Sequence, residues 1–424
     1  RLRMIFDFVD RWNNIMYMWS NGLLKTLPDS FVNNISPKPK TKKIKLILKD
    51  VVADFLRCFK LTNISESKIW FLVLTQNNVE ALKKIKETIP DSIFVSFFRF
   101  RSTVNEEASY FYLNRRILYD IIYPFKWLIY FTKNKKKALR YFDLLITVNG
   151  TYEECTRLLK KSKPRAIVFT NDHLVIARAL LLAANDLGIK TYYVQHASVT
   201  EYFPPLEFSH ALLDGEDAYL KYQECGSIKS VVHLVGMSKF DDYVEQTNVN
   251  ENVKTVGLAF NLTDEVDAVA QCIDQIKSEH PDLTLIVRPH PADQRSLASI
   301  NNVIISNPRS ERAFDFIKTI DCLISGDSSI HLEAVLLNVY SCYYNFSESK
   351  RFDYYKFVKN GLIEHYETIA DLNIKLAELK VFKSDVQKRS TFYNAAIGTG
   401  FYGSTVKKIS SIIMDTIDDD NGKK

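Results

Sequence analysis

Two short motifs in the second half of the chain combine residue types that can hold a phosphate group. Arg288, His290 and Pro291 belong to a run that follows the apolar segment 283–287. The prolines of this run stiffen the chain, so His290 would stand at a fixed angle past the strand and donate a hydrogen bond to a phosphate. Arg288 or Arg295 can pair with the same group. The competing interpretation is a turn in which His290 bonds only to backbone.

The second motif follows the apolar run 322–324 and contains two adjacent hydroxyls. Gly326 permits a tight turn, and Ser328 and Ser329 stand where a helix begins. A helix start with free N–H groups and hydroxyls is an anion site, from which Glu333 can reach a ribose hydroxyl. The alternative is that the serines only cap the helix. Neither G-x-G-x-x-G nor a Walker sequence is present, which argues against kinases, ATPases and dehydrogenases.

Ionisable side chains also follow three successive predicted strands in the first half. They are Asp172, His196, and Asp214 with Glu216. Transfer of a group to an acceptor hydroxyl needs a carboxylate or a histidine, as a base or as a nucleophile. For each residue alone, a cap or a structural hydrogen bond is the simpler explanation. As a set on one rim, they predict a catalytic site.

The surrounding elements must place these residues on opposing edges. Strand-like and helix-like segments alternate from about residue 46, pause in the polar segment 241–253, and resume afterwards. This alternation predicts an α/β protein with two doubly wound domains, 1–245 and 246–424, whose strand ends face each other across a cleft. The run 144–148 is predicted to be a strand. The part after residue 352 is predicted to be mainly helical, with its glycine-containing segment crossing back over the cleft.

Composition and charge narrow the class of protein. The chain has 424 residues, a net charge of +6 and lysine-rich runs at 38–45, 133–140 and 160–165. Each run alone indicates a solvated face, while together they also suit an anionic membrane surface or an anionic glycan. No recognition motif accompanies the charge, so nucleic acid is not an expected partner.

The remaining features concern the compartment, metal ions and the chain termini. The six cysteines are scattered, which predicts a reducing compartment and a cytoplasmic protein. The two acidic clusters do not follow strands, so no metal site is predicted. The aromatic segment 4–27 is predicted to be a helix packed on the domain, rather than one lying on a membrane. Residues 418–424 are predicted to be a disordered tail.

The His–Pro motif of 288–291 and the Ser–Ser motif of 325–334 together resemble those of bacterial glycosyltransferases that use CMP-activated sugars. This group includes sialyl-, polysialyl- and Kdo transferases of capsule and lipopolysaccharide assembly. The resemblance covers roughly residues 166–405 and implies the two-domain fold called GT-B, with the acceptor on the first domain and the nucleotide sugar on the second. It assigns His290, Pro291, Ser328 and Ser329 to the cytidine nucleotide and its phosphate.

One strand end is similar to a neighbouring family and departs from another. Gln195-His196 is similar to the capsule-polymer and teichoic-acid transferases, whose activated donors include CDP-glycerol. Asp214-Gly215-Glu216 departs from the polysialyltransferase pattern, in which two acidic residues precede the glycine.

The resemblance implies a metal-independent enzyme that moves Kdo or a sialic-acid-like sugar from CMP to a glycan or glycolipid acceptor, with peripheral contact with the inner membrane. No cofactor is implied beyond the donor. His290, Ser328 and Ser329 would stabilise the leaving phosphate, and Asp214 or Asp172 would act on the acceptor or the anomeric carbon, with His196 nearby. The alternatives are a CDP-glycerol or CDP-ribitol polyol-phosphate transferase and a non-catalytic glycan-assembly subunit.

Overall fold

The computed structural model of the protein describes residues 2–20, 32–33, 36–57, 68–97, 108–122, 124–346 and 352–421. In the first half, the helices and strands in chain order are α1 (Leu2–Ile15), α2 (Tyr17–Ser20), α3 (Lys40–Arg57), β1 (Ile69–Leu72), α4 (Gln76–Thr88), β2 (Ser92–Ser96), β3 (Ser109–Tyr110), α5 (Arg116–Ile122), α6 (Pro124–Lys133), α7 (Lys135–Arg140), α8 (Phe142–Leu145), α9 (Val148–Ser162), β4 (Ala166–Phe169), α10 (Val175–Asp186), β5 (Lys190–Val194), β6 (His210–Leu213), α11 (Glu216–Cys225) and β7 (Val231–Leu234).

A 3₁₀ helix, Ser238–Gln246, leads into the second half. There the elements are β8 (Thr255–Phe260), α12 (Val266–Glu279), β9 (Thr284–Pro289), β10 (Ile304–Ile305), α13 (Ala313–Ile317), β11 (Cys322–Ser325), α14 (Ile330–Leu336), β12 (Tyr340–Tyr343), β13 (Glu364–His365), α15 (Ile369–Val381), the 3₁₀ helix Gln387–Ser390 and α16 (Thr405–Asn421).

Both sheets are parallel and doubly wound. The first has the order β3-β2-β1-β4-β5-β6-β7, and the second has the order β10-β9-β8-β11-β12-β13. The direction of winding reverses between β1 and β4 and again between β8 and β11. Ligands of such sheets bind outside the carboxyl ends of the strands near these reversals. The predicted α/β architecture with two doubly wound domains is confirmed.

Alternate side chains of each central strand point to opposite faces of the first sheet. On β1, Trp70 and Leu72 pack into one apolar cluster with α1, α9 and α10, whereas Ile69 and Phe71 pack into another with α4. All four are almost completely buried. Because successive side chains of a strand point to opposite faces, a strand covered on both sides is apolar at every position. This explains why the strand segments read as continuous apolar runs.

The structure corrects one element and supports another. The run 144–148 is helical, forming the end of α8 and the start of α9, with Leu145 and Val148 buried in the first domain. A short apolar run does not distinguish a strand from a buried helix by periodicity, which is why the strand prediction was wrong. The helix predicted over 4–27 is confirmed through residue 20, where Trp12 is 1% exposed, and residues 21–27 lie outside the described part.

The last helix returns to the first domain. Ile409, Ile413 and Ile417 of α16 pack in the same cluster as Phe71 of β1. Packing therefore assigns α16 to the first domain rather than to the predicted domain 246–424. The helix also continues to Asn421, so the predicted disordered tail is wrong for 418–421, and 422–424 lie outside the described part.

The returning chain passes close to the end of β7, at Gly236. This residue has φ +92°, and a Cβ there would lie 2.5 Å from Cβ of Ala396 and 2.7 Å from Oδ1 of Asn394. The same Oδ1 accepts a hydrogen bond from the Met237 N–H at 3.2 Å. The close approach of two backbones at the domain junction therefore requires a glycine at this position.

Gly236→Ala is expected to lower the free energy of unfolding by more than about 2 kcal/mol, because it adds an overlap with Ala396 to the cost of a positive φ. Gly188→Ala is the matched control, since Gly188 has φ +68° but no atom within 4 Å of a new Cβ. Thermal unfolding of both variants measures the difference. Equal losses of unfolding free energy in the two variants would show that the close contact with Ala396 does not add to the cost of the substitution at Gly236.

Among the described residues, no helix is long and apolar enough to cross a membrane.

Candidate functional site

A cleft of about 930 Å³ lies between the two domains. The loops after β5 and β6 contribute one wall, and the end of β9, the loop before α13 and helix α14 contribute the other. Helix α4 and the 3₁₀ helix 238–246 close the cleft at its side. The lining residues with ionisable or imidazole groups are Glu80, Lys84, His196, Asp214, Lys239, Asp242, Arg288, Arg309, Glu311, Arg312 and Glu333.

The backbone of Asp214 is held from two sides. Its N–H donates to Oε1 of Gln195 at 2.9 Å, and its carbonyl accepts from the N–H of Ala395 at 2.8 Å. Gln195 also donates from Nε2 to the carbonyl of Ala197 at 3.0 Å, so the side chain that accepts from Asp214 is itself held within the loop after β5. The next residue, Gly215, leaves no room for a Cβ, because one would lie 2.6 Å from the backbone carbon of Tyr393. These contacts fix where the Asp214 side chain can project.

The Asp214 carboxyl group is buried and has an altered acidity. It is 6% exposed, and no hydrogen bond to its oxygens is found within the described part of the chain. Burial raises its pKa to about 8, although the ammonium of Lys239 acts in the opposite direction. A carboxyl group with a pKa near the pH of the cell can exchange a proton during a reaction.

His196 lies beside Asp214 in the cleft and is uncharged. Burial, which is the largest cause, together with Lys239 and His173 lowers the pKa of its imidazole to about 4. The ring is hydrogen-bonded to the Thr170 backbone, whereas its buried Nδ1 has no hydrogen-bond partner in the described structure.

Lys239 connects the two walls of the cleft. Its ammonium donates to Oε1 of Glu333 at 2.5 Å and acts electrostatically on both Asp214 and His196. Burial disfavours its charge, but the Glu333 carboxylate outweighs this effect and raises the pKa of Lys239. Lys239 is therefore charged at neutral pH and lies at the centre of the ionisable residues.

Three arginines of the second domain line the cleft, and two of them are already paired, Arg312 through its contact with Asp315 at 3.0 Å. Arg288 is 6% exposed and donates to Ser306 at 2.8 Å and to Glu311 at 3.0 Å, so its guanidinium is already paired. Arg309 is exposed, and its guanidinium has no partner among the described residues. It is the cleft arginine that is available to an anionic ligand.

His290 is half-buried next to the cleft, which Pro291 lines directly. Its Nδ1 accepts the N–H of Ala292 at 3.1 Å. The proton of the neutral ring is therefore on Nε2, which can donate to a ligand. Burial lowers the pKa of His290, although Asp293 opposes this. The neutral ring is the form present at neutral pH.

Ser328 and Ser329 precede α14 and do not line the cleft themselves. Both are half-buried, and Oγ of Ser328 accepts the N–H of Ile330 at 3.4 Å. His331, which the motif analysis left without a role, is 1% exposed and joins Oγ of Ser341 at 2.6 Å to the carbonyl of Gly326 at 2.9 Å. This buried imidazole holds the turn that presents the two serines.

Two predicted residues lie away from the cleft. Asp172 is 1% exposed, forms an ion pair with Arg178 at 3.0 Å and does not line the cleft. Burial would raise its pKa, but His173 and Arg178 outweigh burial and lower it. Glu216 is exposed at the start of α11. The structure therefore brings together Asp214, His196, Glu333, Arg288 and Pro291 but excludes Asp172 and Glu216 from the same group.

Lys239 and Arg309 also line the cleft, although neither was predicted from the sequence. Lys239 lies five residues after the end of β7, where the chain first crosses between the domains. The sequence feature that could have identified it is a basic residue shortly after a predicted strand. Arg309 lies in the loop between β10 and α13, again past a strand end. Both residues follow a strand, as the predicted residues Asp172, His196 and Asp214 do. Neither forms a recognisable motif with its neighbours.

The sequence itself matches no protein-family model and no curated protein sequence. The fold, in contrast, is similar to several solved structures. UDP-GlcNAc 2-epimerase from Neisseria meningitidis, bound to UDP-GlcNAc, has a TM-score of 0.54 and 14% identity over 82% of this chain and 100% of that one. The wall teichoic acid polymerase TagF, soaked with CDPG, has a TM-score of 0.52 and 12% identity over 90% of this chain and 99% of that one.

A third solved structure, the glycotransferase of kitacinnamycin, has a TM-score of 0.50 and 10% identity over 83% of this chain and 99% of that one. These similarities span nearly the whole of each solved chain. They show that the protein has the GT-B-type fold, with two parallel-sheet domains around a cleft. At such low identity, the similarity extends to the fold alone.

Proposed function

We propose that the protein is a glycosyltransferase that moves Kdo or a sialic-acid-like sugar from a CMP donor to a bacterial surface glycan or glycolipid. One observation carries the proposal. The charged Lys239 lies between a proton-exchanging carboxyl group, Asp214, on one wall of the interdomain cleft and Glu333 on the other. A transferase needs both parts, a base beside the acceptor and positive charge beside the leaving phosphate.

On the acceptor side, Asp214 is the general base. Its ionised form takes the proton of the acceptor hydroxyl as the acceptor oxygen bonds to the anomeric carbon. The bond from that carbon to the donor phosphate breaks, and its electron pair stays on the phosphate oxygen. Because burial raises the pKa of Asp214 to about 8, its ionised form is a strong enough base for this step and is populated near neutral pH. The uncharged His196 lines the same cleft.

On the donor side, cations and hydrogen-bond donors meet the charge that develops on CMP. Arg309 supplies an unpaired guanidinium, and Lys239 supplies an ammonium held by Glu333. The Nε2–H of His290 comes from the residue before Pro291, which lines the cleft. Donors that are in place before the reaction stabilise a leaving phosphate without reorganising during the step. This arrangement gives the His–Pro motif its role in the proposal.

The same cations also suit the two phosphates of CDP-glycerol, so the donor is decided by assay. Purified protein is incubated separately with CMP-Kdo, CMP-sialic acid, CDP-glycerol and UDP-GlcNAc, and donor consumption is followed. We expect a CMP-sugar to be consumed and CMP to raise the melting temperature. Consumption of CDP-glycerol alone would move the proposal to polyol-phosphate transfer. No consumption, together with no thermal shift from cytidine nucleotides, would favour a non-catalytic subunit.

Lys239→Met is expected to lower kcat/KM at least about 100-fold, because it removes the cation facing both the donor phosphate and Asp214. Since Lys239 holds the pKa of Asp214 down, its loss also moves the acidic limb of the pH–rate profile to higher pH. The matched control is Lys84→Met, whose ammonium pairs with Asp242 at the side of the cleft. An unshifted acidic limb in Lys239→Met would exclude Asp214 as the titrating group.

A further inference from the structure

Helix α3 contacts the protein through two buried charged side chains, Lys43 and Asp54. Lys43 is 2% exposed, and its ammonium donates to Asp143 and to Ser36, both at 2.5 Å. One turn from its end, Asp54 accepts a hydrogen bond from Arg116 of α5 at 2.7 Å. Ion pairs therefore attach this helix to the domain. Most surface helices are instead attached through an apolar stripe.

The opposite face of α3 is apolar and exposed. Ile44, Leu48, Val52 and Leu56 recur every four residues and keep between 50% and 59% of their surface accessible. Residues four apart lie on one face of a helix, so these side chains form a continuous stripe. Exposing such a stripe to water is unfavourable, and a monomeric soluble protein rarely presents one.

The apolar surface continues onto the neighbouring helices. Leu118 and Ile122 on α5 and Leu128 on α6 are also at least half exposed. Helix α5 is joined to α3 by the ion pair of Arg116, and α6 follows α5 directly in the chain. We call the surface formed by these seven residues of α3, α5 and α6 the apolar patch.

Lysines border the apolar patch. Lys42, Lys45 and Lys49 are exposed and recur at spacings of three and four along one side of the stripe on α3. Lys135 and Lys136 are exposed at the start of α7, which follows α6. Protein–protein interfaces are depleted of lysine, whereas helices that lie on anionic bilayers combine lysines with a large apolar face.

We propose that the apolar patch and its bordering lysines form a docking surface for an anionic lipid bilayer. The apolar side chains enter the boundary between headgroups and acyl chains, and the lysines pair with lipid phosphates. Helix α3 has 18 residues, so it would lie along about 27 Å of the bilayer surface without crossing it.

This surface has a defined relation to the cleft. Helix α5 begins six residues after the end of β3, and it therefore starts at the same carboxyl edge of the first sheet that carries Asp214. If the proposed function holds, docking brings the acceptor wall of the cleft toward the membrane, where a glycolipid acceptor resides. The docking itself does not depend on that function.

The test is co-sedimentation of the full chain with vesicles of equal parts phosphatidylglycerol and phosphatidylcholine, and with phosphatidylcholine alone. We expect binding to the anionic vesicles that weakens with salt. The double variant Leu48→Asp/Val52→Asp and the triple variant Lys42→Glu/Lys45→Glu/Lys49→Glu should each bind at least about tenfold more weakly. Val381→Asp is the matched control and should bind as the parent does, because Val381 is an apolar residue on the second domain that is even more exposed than Leu48 and Val52.

Two results would overturn the proposal. One is equal, or no, binding of the parent to anionic and neutral vesicles. The other is a parent that is dimeric by light scattering and becomes monomeric in Leu48→Asp/Val52→Asp with vesicle binding unchanged, which would make the apolar patch an interface between copies of this chain. The substituted side chains are exposed, and circular dichroism verifies that the variants fold. The co-sedimentation test measures membrane binding and not activity. A negative result would therefore leave the conclusion of the donor assay unchanged.

Discussion

Asp214→Asn is expected to abolish transfer and, at alkaline pH, to make the protein more stable. The activity loss should be at least about 100-fold, the usual contribution of a general base. The gain in stability follows from the raised pKa of about 8. Between pH 4 and pH 8 the folded protein keeps a proton on Asp214 that the unfolded chain has already released, so stability falls as the pH rises through this window.

Asparagine cannot release a proton, so the variant does not show this fall in stability with rising pH. Thermal unfolding at pH 5.5 and pH 8.5 should show a parent that loses stability between the two and a variant that loses less. The expected gain at pH 8.5 is a few kcal/mol, which is about 5 °C or more in a protein of this size. Lost activity combined with gained stability is typical of a residue placed for chemistry.

Glu216→Gln is the matched control, two residues away and exposed at the start of α11. It should keep both the transfer rate and the pH dependence of the parent. If Asp214→Asn instead loses stability equally at both pH values, the carboxyl group is ionised in the folded protein and its role as a raised-pKa base is excluded.

Asp172→Asn is expected to have the opposite effects. Asp172 and Arg178 are each about 1% exposed and lie 3.0 Å apart, so removal of the carboxylate leaves a buried guanidinium with only part of its compensation, from Glu207 at 2.7 Å. Breaking such a buried pair costs about 3 kcal/mol. Denaturant unfolding at neutral pH measures this loss, whereas transfer by the folded fraction should stay within a few-fold of the parent.

The pH dependence of Asp172 also has the opposite sign. Its pKa lies below the ordinary value, so its contribution to stability is complete above the unfolded pKa and is lost as the pH falls through the folded one. Asp172→Asn should therefore differ most from the parent near neutral pH and least in acid. Glu378→Gln removes an exposed ion pair with Lys375 and should change little. A stable Asp172→Asn without activity would return Asp172 to the catalytic set.

Part of the site followed from position along the chain. His196, Asp214 and Arg288 each come at or directly after an apolar run, and parallel strands place their carboxyl ends on one edge. Local pattern alone therefore predicted that they approach the cleft. It did not distinguish Asp214 from Asp172, since both follow a buried strand. The distinction depends on Arg178, which reaches one of them and not the other.

Lys239 shows a second limit. In the sequence it is one of many lysines, next to a segment interpreted as a linker, and no neighbour marks it. Its partner Glu333 is 94 residues away on the other domain. The importance of this lysine becomes visible only when the two domains pack around the cleft. Its effect on the pKa of Asp214 depends on distance and burial, which the neighbouring sequence does not reveal.

Local sequence pattern was enough to predict the two parallel sheets, because strands that are apolar at every position need helices on both faces of the sheet. It also determined the His–Pro and Ser–Ser turns. The tertiary structure decided which carboxyl group remains without an ion-pair partner, where α16 packs, and which face of α3 is turned outward. Periodicity shows that a helix has two faces, but the partner of each face is set by residues distant in the chain, such as Asp143 for Lys43.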